Sequence, residues 1–156
     1  MRRTRARPPF PTRFGGPRES LGYLLWKLSN AWQRRQRAAL KPFGLTHSQF
    51  VLLASATWFG SAEPLSQARL AEVSGVDPMT TSQIVRALES ARLLERRPHP
   101  EDPRANLVVV TRAGREAAER AVRTVEGVDQ AFFAPVAKES RLLLHAFRTL
   151  ADAAPT

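Results

Sequence analysis

Residues 66–110 read SQARLAEVSGVDPMTTSQIVRALESARLLERRPHPEDPRANLVVV, and this stretch decides the fold. Ser66 caps a short helix from Gln67 to Ser74, which Gly75 breaks at a tight turn. Asp77 then supplies an N-cap, and Pro78 suits the first helical position, where its missing N–H is not needed. The spacing predicts a second helix from Pro78 to about Arg92. Ala71, four residues before Gly75, is small enough to let the two helices pack closely. After them come two β-prone runs, Leu93 to Arg97 and Leu107 to Thr111, flanking a polar loop with three prolines, a hairpin with a long tip. Helix, turn, helix, strand, basic loop and strand make a winged helix-turn-helix. The predicted fold is mainly α, with a small β-hairpin wing and a helical dimerisation region.

Phase sorts the second helix. At about 100° per residue, Thr81, Ile84, Val85, Leu88 and Ala91 cluster on one side. Met79, Ser82, Gln83, Arg86 and Ser90 fall opposite, a face with one cation, short hydrogen-bonding groups and no acid. That composition suits a helix lying in a major groove: Arg pairs with guanine, Gln with adenine, and Ser with phosphate. Thr80, near the helix start, is placed to reach phosphate beside free backbone N–H groups. In the wing, Arg97 and Arg104 bring cations, and Arg104 near the tip is positioned to enter a minor groove. Asp102 is not suited to phosphate; its expected task is to hold the loop or orient Arg104.

Working outward, Glu19 to Leu40 reads as a helix with Leu21, Leu24, Leu25, Leu28, Ala31 and Trp32 at helical spacing. Lys41-Pro42-Phe43-Gly44 stops it. Thr46 to Gln49 matches a capping box and opens a helix that runs to about Trp58 and ends at Gly60. Beyond the hairpin, Ala117, Ala118, Ala121, Val122, Val125 and Val128 form an apolar stripe. Pro135 interrupts the pattern, and Leu142, Leu143, Leu144, Phe147 and Leu150 form a last amphipathic segment. The first and last helices carry more apolar surface than a monomer of this size would cover, which predicts a homodimer. The expected organisation is a basic arm over 1–18, a dimerisation helix over 19–44, a DNA-binding domain over 45–112 and dimerisation helices over 113–156.

Composition agrees with a polyanionic partner but does not prove one. The 156 residues carry a net charge of +10 with 43% apolar residues. Six arginines without an acid lie in residues 1–18 (Arg2, Arg3, Arg5, Arg7, Arg13 and Arg18), so most of the excess sits on the arm. Such an arm either binds phosphate or is a solvated tail. There is no cysteine, which excludes disulfides, cysteine-ligated zinc and thiol-based redox sensing. The longest apolar run, Phe50 to Ala54, is far too short to span a bilayer, and no secretory signal is visible; a cytoplasmic protein is expected. Dinucleotide-binding, P-loop, zincin and serine-elbow motifs are missing. His47, His99 and His145 lack ligand spacing. No enzyme activity, cofactor or metal is expected. The competing reading is a winged-helix module that binds protein through its hairpin; cations on both helix and wing argue against it.

Leu45-Thr46-His47-Ser48-Gln49-Phe50-Val51-Leu52-Leu53, then Leu70-Ala71 through Leu94, then Asp102-Pro103-Arg104 leading to Val110-Thr111-Arg112-Ala113-Gly114, resemble the MarR (multiple antibiotic resistance regulator) family over residues 19–152. The most specific part is Asp-x-Arg followed by a strand ending in Thr-x-x-Gly. Two departures stand out. The family often has Gly before the Leu that starts the wing, where this chain has Ala91-Arg92 before Leu93, and Val110 replaces the usual Leu before Thr111. The resemblance implies a homodimer built from the first, fifth and sixth helices. It also implies a pseudo-palindromic operator on double-stranded DNA, and repression relieved by a small aromatic or phenolic ligand. In that arrangement Trp26, His47, Phe50 and Trp58 border the cleft between dimer and DNA lobes and are the expected ligand-binding residues.

Overall fold

The computed structural model describes residues 9–102 and 105–153. The part of the basic arm before residue 9, and Arg104 at the wing tip, lie outside the described residues. Six helices and three strands follow in the order α1 (Leu21–Leu40), α2 (His47–Phe59), β1 (Leu65–Ser66), α3 (Gln67–Ser74), α4 (Pro78–Ser90), β2 (Leu94–Pro98), β3 (Asn106–Val110), α5 (Arg112–Phe133) and α6 (Ser140–Ala153). A 3₁₀ turn over Ala134–Glu139, carrying Pro135, separates α5 from α6. Among the described residues no helix is long and apolar enough to cross a membrane.

Local chemistry sets most boundaries. Thr46 and Gln49 form a reciprocal capping box: the Gln49 N–H donates to Thr46 Oγ1 at 3.2 Å and the Thr46 N–H to Gln49 Oε1 at 2.9 Å. Ser66 accepts from the Arg69 N–H at 3.1 Å. Helix α1 begins at Leu21, two residues later than its periodicity suggests, because Pro17–Glu19 form a separate 3₁₀ turn and Ser20 caps from an extended conformation.

Helices α3 and α4 end in the same closure. After α3, Gly75 donates to Glu72 O and Val76 to Ala71 O, both at 3.2 Å, with Gly75 at φ 65°. After α4, Arg92 donates to Glu89 O at 2.8 Å and Leu93 to Leu88 O at 2.9 Å, with Arg92 at φ 59°. Both are Schellman motifs, which need a left-handed residue just past the helix. Arg92, where the resemblance leads one to expect Gly, holds a positive φ that glycine adopts at less cost.

The sheet has the order β1-β3-β2, all antiparallel, so β3 is central. The sequence predicts only the β2–β3 hairpin. The two-residue β1, with Leu65 opposite Val108 and Ser66 opposite Leu107, is too short to show a period. One core joins α1 through Leu40, α2 through Leu52 and Leu53, α3 through Leu70, α4 through Val85 and Leu88, β2 through Leu94 and α5 through Ala121, each at most 1% exposed. Full burial of each such leucine contributes about 1.5–3 kcal/mol.

The wing is fastened to α5 at Thr111-Arg112-Ala113-Gly114. The Thr111 hydroxyl donates toward Arg92 O at 2.8 Å and Leu93 O at 3.1 Å and accepts from the Gly114 N–H at 3.0 Å. Gly114 packs so tightly that a Cβ there would lie 2.0 Å from the Leu93 carbonyl oxygen. The Thr-x-x-Gly signature is therefore a steric joint between wing and α5. Helix α6, by contrast, has no buried residue.

Candidate nucleic-acid interface

Helix α4 buries Thr81, Val85 and Leu88 against the core and turns its other side outward, as its phase predicts. Ala91 departs from that phase: it is the exposed C-cap, already off the helical path. Met79, Gln83, Arg86 and Ser90 are exposed, and Thr80 and Ser82 half-buried. Hydrogen bonding separates these residues. The Thr80 N–H donates to Asp77 Oδ1 at 2.9 Å. The Thr80 hydroxyl, and then this N–H, hold the Asp77 carboxyl below the usual carboxylate range. Ser90 spends its hydroxyl proton on Arg86 O at 2.9 Å. The side chains of Gln83 and Arg86 make no hydrogen bond or ion pair among the described residues, which leaves their donors for another molecule.

Charge pairing narrows the cationic set. Arg69 meets Glu72 at 2.6 Å, Arg96 meets Glu89 at 2.7 Å and Arg97 meets Glu95 at 3.0 Å. Of the four arginines in α3, α4 and β2, Arg86 alone lacks a carboxylate partner among the described residues. Arg97, expected from the sequence as a DNA contact, is therefore an already paired cation on the exposed strand. The Arg96–Glu89 pair is a strut that sequence reasoning missed. Arg96 Nε also donates to Glu89 Oε2 at 2.9 Å and its backbone N–H to Oε1 at 3.3 Å, tying the end of α4 to the wing. The hydrogen bond from Arg96 is the main reason that the Glu89 carboxyl sits below its ordinary range. Nothing in the spacing of these two residues announces the contact.

His99 organises the wing loop. Its Nδ1 accepts from the N–H groups of Glu101 and Asp102, both at 3.2 Å, and its backbone N–H donates to Ala105 O at 3.1 Å. Asp102 O accepts from the Ala105 N–H at 3.0 Å. Asp102 thus helps to hold the loop through its backbone; its expected action on Arg104 involves a residue outside the described ones.

The four expected ligand-binding residues fall in separate environments. Phe50 is core, 7% exposed. His47 stacks edge-on against Trp32 with ring centroids 5.0 Å apart. Trp58, 78% exposed, lines a cleft of about 580 Å³ between α2 and α5 with Ala54, Thr57, Ala118, Glu119 and Val122. Trp58 lies roughly 16 Å along α2 from His47, and Trp26 about 9 Å along α1 from Trp32. One small flat molecule therefore does not touch all four. Sequence reasoning missed Trp32, Gln36 and Asp129. Trp32 Nε1 and Gln36 Nε2 both donate to Asp129 Oδ1, at 2.6 and 2.7 Å, clamping α1 to α5. Burial first, then Arg37, lowers the His47 pKa, with Asp129 opposing.

Comparison with known proteins agrees with this architecture. Residues 45–105 match the profile of the MarR family. The chain is 41% identical over 133 residues to the uncharacterized HTH-type transcriptional regulator YdcH of Bacillus subtilis (strain 168), covering 85% of this chain and 90% of that one. A solved structure of the MarR family protein Rv2887 of Mycobacterium tuberculosis in complex with DNA is 30% identical with a TM-score of 0.67, over 84% of this chain and 97% of the other. Bordetella bronchiseptica BpsR, solved to explain regulation of its DNA binding by 6-hydroxynicotinic acid, is 25% identical with a TM-score of 0.82, over 93% and 100%. The chain belongs to the MarR family of winged helix-turn-helix transcriptional regulators.

Proposed function

We propose that this regulator is a repressor that binds a pseudo-palindromic operator as a homodimer and lets go when a small molecule binds. The observation that carries the reading is the outer face of α4, where Gln83 and Arg86 stand exposed, and unpaired among the described residues, over a buried apolar face. Residues 45–112 form the DNA-binding unit in this reading, with α4 in the major groove and the wing, Arg104 at its tip, along the minor groove. The helices of 19–44 and 113–156 join the two copies. Leu21 is 83% exposed and Leu142 and Leu150 each 67%, surface that a second copy would bury. The protein acts as a binder rather than a catalyst, on DNA in the cytoplasm.

The ligand site in this reading is the Trp58 cleft between α2 and α5, where an aromatic wall and small apolar residues suit a flat molecule. A ligand there alters the spacing of the two lobes. DNA needs the recognition helices of the dimer about 34 Å apart, so a ligand that favours another spacing weakens binding by the ratio of its affinities for the two states. Selection of bound duplexes from a random library, followed by binding at several salt concentrations, tests the central claim. A recurrent inverted repeat and a steep salt dependence are expected. Duplex binding without sequence preference would instead favour a hairpin that binds protein. Fluorescence titration with phenolic acids tests the cleft: quenching that Trp58→Phe abolishes is expected, and unchanged fluorescence across the panel removes the cleft from the proposal.

A further inference from the structure

Met79 is the residue on the outer face of α4 for which phosphate and polar base contacts have no use. It is 74% exposed, a thioether held in water on the first turn of the helix. Other strongly exposed apolar side chains lie on other helices, such as Leu21 on α1, Trp58 on α2 and Leu142 on α6.

The first turn of α4, where the sequence sets Thr80 beside free N–H groups for a phosphate, has the Thr80 N–H already occupied. A free helix N-terminus attracts anions. Here Asp77 already fills that role with its own carboxylate, 2.9 Å from the Thr80 N–H, and that carboxyl stays ionised. A phosphate brought to the same N–H groups would meet like charge. The turn is therefore directed to base edges. Met79, Gln83 and Arg86 stand at i, i+4 and i+7, one stripe of the helix. In the major groove the apolar group that distinguishes one base from the others is the thymine C5-methyl.

We propose that Met79 reads a thymine in each half-site by packing its thioether on the C5-methyl group. This rests on α4 lying in the major groove, as set out above. Four residues of helix rise about 6 Å. At 3.4 Å per base step, the thymine lies about two base pairs from the base that Gln83 reads.

The test uses the full-length chain and duplexes selected from a random library. Each thymine of a half-site is replaced in turn by deoxyuridine, which removes the methyl and keeps every hydrogen-bonding group. The expected result is an affinity loss of about fourfold, the value of one buried methyl, at a single position in each half-site. Met79→Ala removes the sensitivity to deoxyuridine at that position and Met79→Leu keeps it. The position should fall about two base pairs from the one whose preference Gln83→Ala relaxes. Sequence-specific binding that is indifferent to every deoxyuridine overturns the Met79 assignment and leaves the repressor reading standing. A chain that selects no duplex sequence at all overturns both.

Discussion

Helices α4 and α6 are nearly equal in length, 13 and 14 residues, and each shows a broad face to solvent. Helix α4 buries Thr81, Val85 and Leu88, and its exposed side holds Gln83 and Arg86 without partners among the described residues. Helix α6 buries nothing, and its exposed side holds Leu142, Leu144, Phe147 and Leu150. The first helix is packed by its own chain and offers polar donors to a polyanion. The second is left unpacked and offers hydrocarbon, which water disfavours. Exposure alone does not separate a ligand face from a subunit face. The chemistry of the exposed atoms, read against what the opposite side of the helix already buries, does.

The contrast breaks most visibly at α6. Leu142→Asp combined with Phe147→Glu replaces two apolar contacts per copy, each worth about 1.5–3 kcal/mol when buried. Sedimentation at micromolar concentration should fall from twice the chain mass to one chain mass, with operator affinity lost. A folded variant that keeps the doubled mass would show that α6 is not the seam.

Gly114 probes the joint between the wing and α5. Gly114→Val drives a side chain into the Leu93 carbonyl and should cost about 3 kcal/mol, read as a lower melting temperature. An unchanged melt would mean that the wing can shift to make room. On the DNA side, Arg86→Ala should weaken operator binding by about 1–3 kcal/mol and relax one base preference in each half-site, with the mass unchanged. Lys138→Ala, in the turn before α6, should leave operator affinity alone; the reverse pattern would misplace the DNA face.

Arg92→Gly sharpens the comparison just past the end of α4. The left-handed arginine stores strain that glycine removes, partly offset by the greater freedom of glycine in the unfolded chain, so the substitution should stabilise by roughly 0.5–1 kcal/mol. A loss of stability would show that Arg92 contributes through its side chain. The smallest effect is expected at His47, where α2 meets α1 and α5. Its pKa in the folded chain lies below the ordinary imidazole value of about 6.5, so the unfolded chain takes up the proton first. The stability it contributes is complete above that value and is lost as pH falls toward the folded pKa. Melts between pH 8 and 5 should show a decline at the acid end that His47→Gln reduces; identical pH profiles would remove His47 as the cause.

The helix-turn-helix was legible because its signals are local. Ser66, Asp77 and Thr46 bond to groups three residues away, and Gly75 closes its helix within five, so each boundary is written in a few consecutive residues. The outer face of α4 was legible for a related reason: one side of that helix is apolar and the other is not. Helix α2 lacks that asymmetry. Phe50, Leu52, Leu53, Ala56 and Trp58 surround it with apolar side chains, and only packing against α5 and the core puts Phe50 inside and leaves Trp58 in the open. The pairing of Arg97 with Glu95 was also a matter for the folded strand, because two neighbours on one side of a strand meet only when the chain is extended. So was the clamp of Trp32 and Gln36 on Asp129, whose members are more than 90 residues apart in the chain. Sequence by itself determined the six helices, the turn between α3 and α4, the β2–β3 hairpin and which side of α4 faces out, since those follow from backbone capping and periodicity. Tertiary structure decided which cations stay free, which aromatics are core and where β1 pairs, because those depend on groups brought together only when distant segments pack.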